Sequence, residues 1–151
     1  MKSAYYTAVV TNTYKIAMES YLGGDYVYDP AWMEELCSVS HREYATGYYF
    51  SNSFTDANTA SDNGYLKEKA YLAVVLSYDE ASGRAILSQR NKLESGQRVA
   101  YLTPGKVAVP FVIEDLKNEA GEEILSAPHP YMTFSAKLPF AVKPGDIIRG
   151  M

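Results

Sequence analysis

Gln89-Arg90-Asn91-Lys92 brings four hydrogen-bonding side chains together inside a polar block running from Ser88 to Gln97. The planar groups of Gln, Arg and Asn can bond bidentately to bases, phosphates or carboxylates. Two readings fit the block. On a barrel rim it would bind RNA or peptide; at a barrel corner its side chains would satisfy nearby backbone groups. A second cluster is His41-Arg42-Glu43, but adjacent side chains rarely converge on one point in helix or strand. A structural hydrogen-bond and ion-pair network is expected there. His129 stands between Pro128 and Pro130, 88 positions from His41. Metal binding would need carboxylate partners that no spacing announces, so no metal ligand is assigned. The carboxylate pairs Glu114-Asp115 and Glu122-Glu123 fall at a strand end and in a turn, where solvated faces are expected. There is no Gly-rich phosphate loop, no His-x-x-x-His pair and no Gly-x-Ser-x-Gly elbow. No catalytic residue is assigned.

The elements that must hold these groups change character along the chain. Residues 3–22 read as a helix, with Tyr6, Val9, Val10, Ala17 and Tyr21 near helical spacing. Ser3 suits the N-cap and Gly23-Gly24 the end. This broad, Tyr- and Ala-rich face needs a partner, either a larger parent protein or the rest of this chain. Asp29-Pro30 opens a second helix, Asp as N-cap and Pro at the first helical position. Trp32, Met33, Leu36 and Cys37 give it a one-sided apolar face, which predicts a core Cys37 without nucleophilic activation. Residues 51–64 have the composition of a polar linker. From Tyr65 the periodicity is that of strands. Asp79–Gly83 and Asn118–Glu122 read as hairpin loops. Val107, Val109, Phe111 and Ile113 alternate, as do Met132, Phe134 and Ala136. Glu94-Ser95-Gly96-Gln97 and Pro144-Gly145-Asp146 are turns that each launch a strand. The expected fold is α+β: two N-terminal helices in residues 1–50, a polar connector over 51–64, and a small antiparallel β-barrel or sandwich over 65–151.

Composition bounds the function. The chain has 151 residues, 47% hydrophobic and 21% charged, with fourteen tyrosines and a net charge of −4. That is one domain, or a small domain plus an appendage. A generic nucleic-acid binder would be basic. The charge is uneven, however: residues 65–100 hold six Lys/Arg against four Asp/Glu, and residues 1–64 hold three against eight. Cys37 is the single cysteine, so the chain alone builds neither a disulfide nor a cysteine-based zinc or iron–sulfur site. No run approaches the ~18–20 apolar residues of a membrane span. Nor do Met1-Lys2-Ser3-Ala4-Tyr5-Tyr6 make a signal peptide. A cytoplasmic location is expected.

Four segments, in order and spanning nearly the whole chain, carry a resemblance. They are Lys2-Ser3-Ala4-Tyr5-Tyr6 with Tyr14, then Ser40-His41-Arg42-Glu43-Tyr44 with Thr46-Gly47. Gln89-Arg90-Asn91-Lys92 follows, and last Ala127-Pro128-His129-Pro130 with Leu138-Pro139 and Pro144-Gly145-Asp146. Together they resemble the C-terminal region of the collagenase-like U32 peptidases. In that family a larger N-terminal portion resembling an α/β barrel precedes this region and carries the catalytic site. Related members take part in hydroxylating uridine in transfer RNA, and several relatives hold an iron–sulfur cluster in the main portion. The terminal barrel resembles the second domain of translation elongation factors. The resemblance implies that this chain is the accessory end of such a protein, with the opening helix belonging to the missing barrel. Neither the catalytic portion nor its cysteines are in this sequence, so peptidase activity transfers to no residue here.

The leading expectation is therefore a non-catalytic domain that positions peptide, collagen or RNA for a catalytic portion on the same protein. Its contacts would be Gln89, Arg90, Asn91 and Lys92, with His41, Arg42 and His129 beside them. The alternatives are the accessory domain of a tRNA-hydroxylating relative, an independent hydrolase that would cleave gelatin, and a purely structural or oligomerisation module.

Overall fold

The computed structural model describes residues 2–24, 26–50, 52 and 69–151. Apart from Asn52, the expected 51–64 connector lies outside them, as do residues 65–68.

Helix α1 spans Ala4–Leu22 and α2 spans Pro30–Leu36. Both caps expected from the sequence form. Ser3 Oγ accepts from the Tyr6 amide at 3.1 Å, and Asp29 Oδ1 accepts from the Ala31 amide at 2.9 Å, so each satisfies an otherwise orphaned donor of the first turn. The buried stripe of α1 is Tyr5, Val9 and Thr13, spaced i, i+4, i+8. The sequence had suggested a broader face. Tyr14, Met18, Tyr21 and Leu22 instead remain exposed, because the barrel covers only one side of the helix's first three turns. In α2 the inward residues are Trp32 and Glu35, while Met33 and Cys37 face out. The expectation of a core Cys37 is thus corrected: a buried glutamate, held by an arginine of the barrel, takes the inward position.

The barrel has six strands closed in the order β1-β2-β7-β5-β4-β8, every pairing antiparallel. They are β1 Tyr71–Asp79, β2 Arg84–Gln89, β4 Gln97–Leu102, β5 Val109–Lys117, β7 Thr133–Lys137 and β8 Ile147–Gly150. Two short strands, β3 Leu93–Glu94 and β6 Ser126–Ala127, pair with each other. Closure leaves no free edge. Leu72, Val75, Leu87, Val99, Ile113, Leu116, Phe134, Ala136 and Ile148 fill the interior. The alternation read in the sequence puts Phe134 and Ala136 inside, as expected, and Met132 packs against the same core. In β5 the expected inward set is only partly met: Ile113 is buried and Phe111 partly so, but Val109 is exposed and Val107 precedes the strand; after a register shift between Glu114 and Lys117, Leu116 is again inward. The turns at Gly96 and Gly145 require left-handed backbone, with φ of 82° and 92°, which glycine adopts without a Cβ clash.

A second apolar cluster joins helices to barrel: Tyr5, Val9, Val39, Leu102 and Ile147. Its polar counterpart is buried. Arg149 Nη2 donates to Glu35 Oε1 at 2.6 Å, Nη1 bonds Ser38 Oγ, and Tyr5 Oη lies 3.5 Å from Nη1. The Ala108 amide also donates to Glu35 Oε1, at 3.3 Å. Glu35 and Arg149 are each under a tenth exposed. On the other flank Asn12 grips the turn after β4. Its Nδ2 donates to the Lys106 and Thr103 carbonyls at 2.9 and 3.3 Å, and its Oδ1 accepts from the Gly105 amide at 2.7 Å.

Candidate functional site

The polar block from Ser88 to Gln97 leaves the end of β2, crosses β3 and enters β4. Gln89 is buried, and its Nε2 donates to the Ala127 carbonyl at 3.2 Å, while its Oε1 has no partner among the described residues. Asn91 Nδ2 donates to the Tyr71 carbonyl at 2.7 Å. Lys92 pairs with Glu94 at 2.6 Å, both well exposed, and that bond holds the Glu94 carboxyl below its usual value. Arg90 Nη1 donates to Ser88 Oγ at 2.7 Å and to the Gln89 carbonyl at 3.1 Å. Its guanidinium lies over the Tyr131 ring, 4.6 Å from the centroid. Gln89 and Asn91 therefore serve the barrel corner by tying backbone carbonyls. Arg90 and Lys92 stand further out, at the surface.

His129 comes to the same rim. The Tyr131 amide donates to the Gln89 carbonyl at 3.1 Å, which draws the Pro128–Tyr131 turn against the end of β2. His129, Tyr131, Met132, Thr133, Asn118, Glu119 and Ala120 line a hollow of ≈ 530 Å³, within the size range of ligand clefts. His129 is exposed. His41 lies with the helices. Its Nδ1 is 2.8 Å from the Arg42 carbonyl, and its ring stacks on Tyr44 at 4.8 Å. Tyr44 in turn donates to the Leu36 carbonyl at 3.1 Å, and Lys2 Nζ to the Ser40 carbonyl at 3.3 Å. The Tyr44 bond ties the His41–Tyr44 segment to the end of α2, whereas Arg90 and His129 belong to the barrel.

Two carboxylates have defined structural work. Asp115 adopts φ 54°, and Arg84 bonds its carboxylate, its carbonyl at 2.9 Å and Ser135 Oγ at 3.1 Å. Hydrogen bonding from Arg84 holds the Asp115 carboxyl below the usual range. Asp146 is buried in the turn before β8, accepting from Tyr101 Oη and the Lys143 amide, each at 2.7 Å. Burial raises the Tyr101 hydroxyl above its usual value, and the Asp146 carboxylate raises it further.

Several residues that matter here fall outside the expected site: Tyr131, Asn12, the buried Glu35, Ser38 and Arg149, and Tyr5, named above only within the Lys2–Tyr6 segment. Only Tyr131 carried a local signal, an aromatic directly after a Pro-His-Pro turn. An iron–sulfur cluster does not fit this chain's donors, since Cys37 is the sole cysteine and no group of three or more His, Cys, Asp or Glu converges among the described residues. No helix among them is long and apolar enough to cross a membrane.

The fold resembles two crystal structures of the C-terminal domain of a Geobacillus thermoleovorans protein assigned to the U32 peptidases. One, at 29% identity, has a TM-score of 0.52 over 54% of this chain and 92% of that domain. The other is its selenomethionine variant, at 30% identity and a TM-score of 0.50, over 52% and 96%. The fold is thus that of a U32 C-terminal domain. Residues 67–149 match the family model "Peptidase family U32 C-terminal domain" and residues 1–59 the model "Peptidase family U32": the chain belongs to peptidase family U32. The tRNA hydroxylation protein P1 of Bacillus subtilis (strain 168) is 26% identical over 151 residues, 99% of this chain. This chain spans only 36% of that relative's length.

Proposed function

We propose that this chain is the accessory end of a tRNA-modifying member of the U32 family, and that it positions RNA for a catalytic portion outside these residues. The observation that carries the reading is the match to a tRNA hydroxylation protein along 99% of the chain, helices and barrel alike. The rim supports it, because Arg90 lies over the exposed Tyr131 ring, a cation–aromatic combination that binds single-stranded nucleic acid, and Lys92, paired with Glu94, adds a second exposed basic group to the same block. The exposed face of α1, with Tyr14, Met18, Tyr21 and Leu22, would dock on the remainder of the U32 portion. The match of residues 1–59 to the main family model favours this. Any iron–sulfur cluster would sit in that portion, and the assembly would work in the cytoplasm.

A mobility-shift titration of the chain with transfer RNA tests the reading. Binding should weaken with salt, and replacing Arg90 and Lys92 together by Ala should reduce the log–log salt slope by about 1–2. An absent or salt-insensitive shift removes the RNA reading. A second reading, peptide positioning for a peptidase, is favoured by the Geobacillus structural neighbours. It predicts that gelatin peptides, rather than RNA, bind the same rim.

A further inference from the structure

One feature of the rim lies outside anything that packing explains. Tyr131 sits at φ 61°, a left-handed conformation uncommon outside glycine and costly for a bulky residue. Its ring is 72% exposed, so burial does not offset that cost. The backbone around it is held from three sides. The Tyr131 amide donates to the Gln89 carbonyl at 3.1 Å, the Met132 amide to the His129 carbonyl at 3.1 Å, and the Gln89 amide to the Met132 carbonyl at 2.9 Å. The Met132-to-His129 bond closes a four-residue turn with Pro130 second and Tyr131 third, a position that takes positive φ but usually glycine; what the turn leaves unexplained is an exposed tyrosine there.

The guanidinium beside it is equally prepared. Arg90 lies 4.6 Å from the Tyr131 centroid, and among the described residues only its Nη1 makes side-chain hydrogen bonds, to Ser88 and the Gln89 carbonyl. Nη2 and Nε keep their donors for a ligand. Glu119 lines the adjoining hollow; a carboxylate there would repel phosphate and accept from an exocyclic amino group of a base.

We propose that Arg90 and Tyr131 form a stacking platform for a base of single-stranded RNA. The base lies on the open face of the Tyr131 ring with its edge toward the hollow, and the flanking phosphate lies at the Nη2–Nε edge of Arg90. This rests on the RNA-positioning reading above and narrows it to one place.

Fluorescence anisotropy of the 151-residue chain with a labelled single-stranded RNA of about 12 nucleotides, and with its duplex, tests the platform. Tyr131→Gly removes the ring while relaxing the left-handed backbone. Its melting temperature should hold or rise, while affinity for the single strand falls about tenfold. Tyr131→Phe should stay within about twofold of the parent chain, because the stacking ring remains. Arg90→Lys keeps the charge but loses the planar stack and should weaken binding severalfold. Lys106→Ala, beside the Asn12 clamp, should leave it unchanged. If the parent chain binds RNA but Tyr131→Gly binds equally well, the platform is wrong and RNA positioning stands. Should the parent chain shift transfer RNA but bind no single-stranded RNA, the platform fails and RNA positioning stands; if it binds neither, both fail. Tyr131-dependent binding of a proline-rich peptide in place of RNA would assign the surface to a protein partner.

Discussion

Arg149 and Glu35 show how much one side chain decides here. Each is buried, and Glu35 Oε2 and Arg149 Nε have no partner among the described residues. Removing one member strands the other's charge in a dry interior, which typically costs ~3–5 kcal/mol. Arg149→Ala or Glu35→Ala should each lower the urea midpoint accordingly. Glu35→Leu with Arg149→Met should recover most of the loss, because apolar replacement of a whole buried pair is often neutral or stabilising. Urea titrations of the three variants check this. Asp115 makes a different prediction at the same scale. Its carboxyl is held below the unfolded value of about 3.9, so its contribution is fully present above that pH and is lost as pH falls through the lower folded value. Asp115→Asn should therefore flatten the acid limb of the stability profile below about pH 4. An unchanged limb in thermal melts across pH 2–6 would show that the Arg84 contact carries no such linkage.

At the scale of elements, the helices and strands were largely legible in the sequence. Ser3 and Asp29 announced helix starts by local chemistry, and Phe134 and Ala136 announced a strand face by period. Faces were harder to read. Helix α1 has apolar residues on more than one side, and only contact with Leu102 and Ile147 selects Tyr5 and Val9 as the inner pair. In α2 the polar Glu35 turns inward because its partner lies 114 positions away, a separation that no local pattern encodes. The rim was half legible. Gln89-Arg90-Asn91-Lys92 stood out by composition, but Tyr131 becomes part of it only through backbone pairing with Gln89. Asn12 belongs to the same group of long-range contacts, holding a turn more than 90 positions downstream. Asn12→Ala leaves the Gly105 amide and two carbonyls without that partner and should destabilise the chain by about 1–2 kcal/mol. Faster amide exchange at residues 103–106, measured by NMR, would locate the effect. Unchanged exchange there would show that the turn holds itself.

Across the whole molecule, helices and barrel share a core. Tyr5 stacks on Tyr71 at 5.5 Å, and Val9, Val39, Leu102 and Ile147 close around them. We expect one cooperative unfolding transition in which far-UV circular dichroism, reporting helix, coincides with the loss of NMR amide signals from the barrel strands. Glu35→Ala combined with Asn12→Ala removes the buried ion pair and the Asn12 clamp and should separate the two signals. Coincident curves in that double variant would place the coupling in the apolar contacts and the remaining Arg149 bonds to Ser38 and Tyr5.

Strand β8 pairs on one side with β1 and on the other with β4, and it also carries Arg149. On the ribosome these four residues emerge after all the other described strands. Until they do, β1 and β4 present open edges, the helices have no arginine to fasten to, and unpaired backbone is available to other chains. A chain halted before Ile147 is therefore recognisable to proteases and chaperones as unfinished. Emergence of β8 is the step that lets β1 and β4 close the barrel.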